Sequence, residues 1–126
     1  MAVKVYWEND EKTIIRYDFE GHWTWDDLYP EYDRAIKMEK SVDHCVDVIL
    51  DMRESQSIPL SAITHVRSIA GKQPDNVGLS VLVTTNRAIL TLYNVGMKID
   101  KNIAKYFAAA STIEEAYALI AEAVKS

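Results

Sequence analysis

The chain has 126 residues, 48% of them apolar and 26% charged, with a formal net charge of -5. That length suits one domain able to bury roughly two-thirds of its unfolded surface without a disulfide or metal staple. The acidic balance argues against nucleic acid, because phosphate binding relies on Lys and Arg; Lys98, Lys101 and Lys105 are spaced, with Asp100 among them.

Cys45 is the sole cysteine, which precludes an intrachain disulfide and suits a reducing compartment. The opening Met1-Ala2-Val3-Lys4-Val5 has no basic segment followed by an apolar run, so no secretory signal is expected. No apolar stretch approaches the ~20 residues of a membrane span. A cytoplasmic protein with no membrane span is the expectation.

Val3-Lys4-Val5-Tyr6-Trp7 and Thr13-Ile14-Ile15-Arg16-Tyr17-Asp18-Phe19 are β-rich and partly alternating, with the polar run Glu8 to Lys12 between them, so an antiparallel hairpin is expected. From Thr24 the spacing becomes helical, with Trp25, Leu28, Tyr29, Tyr32, Ala35 and Ile36 on one face. Thr24 and Asp27 offer a cap. Pro30 leaves two starts open: near Asp27, which puts it in the first turn, or at Trp25, with a kink. Val46-Asp47-Val48-Ile49-Leu50-Asp51 reads as a strand covered on both faces.

A second helix is expected to open at Ser57 to Pro59, with Leu60, Ile63, Val66 and Ile69 or Ala70 inward and Gly71 as its stop. Val77 to Thr84 is the next strand. Asn86 caps a third helix carrying Ile89, Leu92, Tyr93 and Met97 on one face, with Gly96 weakening its end. Lys105 to Ala110 is a last strand. Ser111/Glu114 and Thr112/Glu115 form overlapping capping boxes for a final helix lined by Ile113, Ala116, Tyr117, Ile120, Ala121 and Val124. Strands alternating with helices imply right-handed crossovers and parallel pairing. The expected fold is α/β: one domain over 1–126 with a mixed sheet of about five strands, an N-terminal antiparallel hairpin followed by parallel βαβαβα.

Phe19-Glu20-Gly21-His22-Trp23-Thr24-Trp25, Val48-Ile49-Leu50-Asp51 and Ser111-Thr112-Ile113-Glu114-Glu115-Ala116, in an order β-β-α-β-α-β-α-β-α, resemble the STAS-like fold of anti-sigma-factor antagonists, closest to its SpoIIAA-like or STAS/SEC14-like branch. The resemblance covers nearly the whole chain. It implies a non-catalytic bacterial signalling or protein-interaction module, regulated by phosphorylation of a serine after the central strand. That stretch holds Ser55, Ser57 and Ser61 but no Asp-Ser pair, so the location carries over and the motif does not. Ser57 is the serine expected nearest a helix N-terminus, where a phosphate is favoured; the plainer reading, which carries more weight, is a simple N-cap.

Beyond the carboxyl ends of parallel strands, Arg53, Asn86 and Arg87 could hold an anionic group, or pair and cap without any ligand. Eight of the aromatics fall within the first 32 residues. Among them Trp7, Trp23, Trp25 and Tyr29 are candidates for a ligand wall or partner surface, or for packing of the first helix on the hairpin. A carrier or sensor of a small apolar or amphipathic, lipid-like ligand is therefore the alternative function. His22, His44 and His65 lack metal spacing, Cys45 has no cation to activate it, and no nucleophile or phosphate-loop motif occurs. No enzyme, metal or cofactor is expected; a protein partner, a small ligand or a second copy of the chain is.

Overall fold

A computed structural model describes residues 2–125, with side chains as far as Ala123. The strands are β1 (Val3–Trp7), β2 (Ile14–Gly21), β3 (Val46–Ser55), β4 (Val77–Val83) and β5 (Phe107–Ala110). The helices are α1 (Trp25–Lys40), α2 (Ala62–Lys72), α3 (Arg87–Ile99), the single turn α4 (Lys101–Ala104) and α5 (Ile113–Lys125). The sheet order is β1-β2-β3-β4-β5; β1 and β2 are antiparallel and the other pairs parallel. The expected fold class is the observed one.

Each crossover moves one strand in the same direction, so right-handed connections place α1, α2 and α3 on a single face. Their Leu28, Tyr32, Ala35, Ile69, Ile89 and Tyr93 accordingly meet Val5, Ile15, Tyr17, Phe19, Val48 and Leu82 of the sheet. On the opposite face α5 sets Ala116 and Ile120 against Ile49, Val81 and Val83. Tyr117 and Ala121, expected inward, are exposed, because α5 covers only the β3–β5 side and a narrow stripe suffices. Val124 lies outside the described side chains.

α1 starts at Trp25 under a Thr24–Asp27 capping box and runs through Pro30 without ending. Its Glu31 carboxylate accepts a hydrogen bond from Val5 N at 3.0 Å. That caps one donor of the edge strand from above. α2 departs from expectation. It starts at Ala62, not Ser57; Ser61 is the N-cap, in a left-handed conformation with φ 66° and no side-chain cap bond. Residues 56–60 form a loop that leaves Leu60 89% exposed. Gly71 lies inside the helix, which ends at Lys72. β5 begins at Phe107 because residues 101–104 wind into α4 first.

Between β3 and β4 the register shifts, so that Val46 faces Val77 but Val48 faces Ser80. The extra residue flips the side-chain phase: Val77 packs on the α1–α3 face, Leu79 on the α5 face, and Ser80 returns to the α1–α3 face. Asp47 takes the backbone N–H of Leu79 at 2.8 Å. A Cβ at residue 78 would meet that carboxylate and the Cys45 thiol, so a larger residue fits only if those side chains move.

Candidate functional site

Hydrophobic helices normally close onto a sheet, and α1 does. α2 and α3 do not: α2 has no buried residue and α3 only Ile89. Between them and the sheet lies a cavity of about 400 Å³, within the usual size of small-molecule sites. Tyr17, Phe19, Val48, Leu50, Met52, Ser80, Leu82 and Phe107 form its floor. Trp23, Trp25, Leu28 and Tyr32 form one wall; Ile58, Ile63, Val66 and Ile69 form a second. Leu92, Tyr93, Val95 and Met97 of α3, with Ile103 of α4, form the third. Leu92 and Val95 are 52% and 48% exposed, so the mouth opens between α2 and α3.

The wall at α2 hangs on aromatic side chains of α1. Trp25 Nε1 donates to Leu60 O at 2.8 Å, the Tyr29 hydroxyl is hydrogen-bonded to His65 Nδ1, and the Tyr32 hydroxyl donates to Ile69 O at 2.7 Å. His65 also stacks on Trp25, centroids 4.3 Å apart at 18°. Positions 25, 29 and 32 share one helix face, so three successive rungs reach α2 along its length. On its other side, among the described residues, one polar link joins α2 to α3 and α4: Arg67 Nε to Asp100 at 3.0 Å. The hinge is broad and the latch is thin.

Two hydroxyls on the floor have no hydrogen-bond partner among the described residues. Tyr17 is 4% exposed and Ser80 3% exposed, and both line the cavity. Burial raises the Tyr17 pKa well above the ordinary phenol value, reinforced by the nearby Glu39, Tyr32 and Glu31, so the group is a neutral donor and acceptor. Asp100 is the only charged lining residue among those described, and no Lys or Arg lines the cavity. Glu39, 2% exposed with Oε1 unpaired, is pushed up to about 7 by burial.

The expected site residues separate. Trp23 and Trp25 line the cavity edge-to-face, 5.1 Å apart at 87°, and Tyr29 holds α2 from outside it. Trp7 packs against the core and does not line the cavity. Arg53 lies on the opposite face, donating to both oxygens of Asp51 at 2.9 and 2.8 Å. Asn86 caps α3 by accepting from Ala88 N and Ile89 N; Arg87 is exposed. These three share no cavity with the tryptophans. The strand order never reverses, so there is no switch-point crevice at the carboxyl edge.

Of the serines, Ser55 is 4% exposed, donates to Ser57 O and accepts from Trp23 Nε1 at 2.9 Å each. Ser57 is half-buried with its hydroxyl 2.9 Å from His22 Nδ1. Ser61 is exposed, at the N-terminus of α2 and on the cavity rim. Among the described residues no group of His, Cys, Asp and Glu could hold a metal, and no helix is long and apolar enough to cross a membrane. The Cys45 thiol is pushed up by burial and by the Asp47 charge, the reverse of nucleophile activation.

Sequence reasoning placed the residues of α2 and α3 on buried helix faces and missed that they wall a cavity. Ser80 carried the available signal: a polar residue on the inward face of an otherwise apolar strand. The chain matches no known protein family and no curated protein significantly.

Proposed function

We propose that the protein is a carrier or sensor of a small, neutral, amphipathic lipid-like molecule held between the sheet and the α2–α3 layer. The observation that carries this reading is the apolar cavity of about 400 Å³ with the hydroxyl-bearing residues Tyr17 and Ser80 on its floor. Filled with liquid water, such a volume takes roughly a dozen molecules at ~30 Å³ each. Apolar walls offer them few hydrogen bonds, so an apolar ligand gains by displacing them.

The ligand class follows from what lines the walls. A hydroxyl or carbonyl on the ligand pairs with Tyr17 or Ser80 on the floor in place of water. A carboxylate or phosphate would enter a site with no lining cation, at the desolvation cost of an unpaired charge. A long-chain alcohol or ketone therefore fits and the matching fatty acid does not.

The test is native mass spectrometry of the gently purified protein, followed by titration with a neutral naphthylamine dye. Expected are a co-purified neutral mass or saturable dye binding, with a long-chain alcohol displacing the dye at lower concentration than the acid of equal length. No bound mass and no saturable dye signal would remove the reading.

A further inference from the structure

α3 is apolar nearly all round. Ile89 and Tyr93 face the core, while Leu92, Val95 and Ile99 form a second stripe at three- and four-residue spacing, 52%, 48% and 55% exposed. A helix of that pattern ordinarily has both faces covered. This stripe runs along the mouth of the cavity, where Leu92 and Val95 belong to both.

Charge tells what covers it. Residues 56–110 hold six basic side chains, Arg67, Lys72, Arg87, Lys98, Lys101 and Lys105, against Asp75 and Asp100 alone, a local charge of +4. The whole chain is at -5, so the remaining residues carry -9. All six basic residues are exposed, and Lys98, Lys101 and Lys105 follow the stripe into α4 and beyond. A second copy docking stripe to stripe would bring two positive surfaces together. An apolar stripe bordered by lysines is the pattern of a helix lying in an anionic lipid interface.

We infer that the α3–α4 face docks peripherally on an anionic bilayer surface, with the cavity mouth turned toward the lipid. Ile99 and its neighbours enter the headgroup–acyl boundary, and the lysines meet lipid phosphates. The purpose of docking, transfer of a lipophile without passage through water, rests on the proposed function; the docking itself is independent of it.

The experiment is co-sedimentation of the full chain with vesicles of phosphatidylcholine alone and of equimolar phosphatidylcholine and phosphatidylglycerol. Partitioning is expected onto the anionic vesicles only, weakening with added salt. Each basic side chain at such a surface is worth about fivefold in partitioning, and reversing a charge costs more than losing it. The Lys98→Glu/Lys101→Glu pair should thus lower partitioning at least ~25-fold. Lys4→Glu/Lys37→Glu, the same charge change on β1 and α1, should lower it far less. Ile99→Ser should weaken binding without altering the circular dichroism spectrum.

Equal loss in both charge-reversed pairs, equal binding to both vesicles, or no binding to either would overturn the docking. So would a dimer by light scattering that Ile99→Ser dissociates while vesicle binding persists. Dye binding to the cavity without vesicle binding sinks the docking alone; vesicle binding without dye binding sinks the cavity reading alone.

Discussion

The Tyr32 hydroxyl on α1 donates to the backbone carbonyl of Ile69 on α2 across 2.7 Å. The phenol ring is 3% exposed, so it fills the core and holds the cavity wall at once. Tyr32→Phe keeps the ring and removes the bond. The net cost should be about 1 kcal/mol, with the effect concentrated in α2. Amide hydrogen exchange should accelerate across Ala62–Lys72 and stay unchanged in β4, which is packed independently against α5. Uniform acceleration through the molecule would show that α2 does not open as a separate unit.

The bulge opposite Asp47 keeps Ser80 on the cavity floor. Ser80→Ala should change the stability of the ligand-free protein by under about 1 kcal/mol, at most a few degrees in Tm for a chain of this size. The same variant should lose preference for a long-chain alcohol over an alkane of equal length in dye displacement. Thermal melting and displacement on one preparation check both halves. A loss well above about 1 kcal/mol would mean that the hydroxyl has a partner in the native state.

Much of the fold was legible because local signals agreed. Thr24 with Asp27, Asn86, and Thr112 with Glu115 cap helices where the sequence indicates, and alternation in β2 places Ile15, Tyr17 and Phe19 together. The start of α2 was misread because Ser57 and Pro59 look like a helix opening. Tertiary bonds instead hold that stretch as a loop: Gln56 N donates to Gly21 O, and Trp25 reaches Leu60 O. The site was harder still. Periodicity reports which helix face is apolar but not how far the helix stands from the sheet, so Ile63, Val66 and Met97 look alike whether they fill a core or wall a cavity. The tryptophans drew attention to the right end of the molecule, yet Trp7 packs on the core, while Trp23 and Trp25 wall the cavity.

Glu39 carries a stability penalty whose sign is opposite to that of a salt-bridged acid. Burial raises its pKa from 4.5 to about 7, so between those values the folded state holds a proton that the unfolded state has released. Stability from this group falls as pH rises through that window, and the full penalty applies above it. Glu39→Gln should remove it. The variant should gain on the order of 2–3 kcal/mol over the natural protein at pH ~8 and nothing at pH ~4. Urea unfolding at several pH values provides the comparison. A pH-independent difference would place the effect in packing instead of titration.

Arg16 answers three carboxylates on the face that carries α5, whose Tyr117 hydrogen-bonds Glu8: Glu8 at 3.1 Å, Asp18 at 2.9 Å and Asp51 at 2.6 Å. Burial pushes Asp51 upward, but hydrogen bonds from the Arg53 side chain and backbone, with the charges of Arg53 and Arg16, hold it below the usual carboxylate range. A depressed acid stabilises the fold above its unfolded pKa and loses that contribution as pH falls through the folded value. Arg16→Met leaves the three acids facing one another, which should cost about 2–3 kcal/mol at neutral pH, short of a fully buried pair because the site is partly solvated. Acidification far enough to protonate Asp51, below the usual carboxylate range, should narrow the gap. Arg53→Ala, whose side chain is 41% exposed, should cost under about 1 kcal/mol. Denaturation midpoints for both variants at neutral and acid pH test the ranking. Arg53→Ala proving the costlier change would move the centre of the network from β2 to the end of β3.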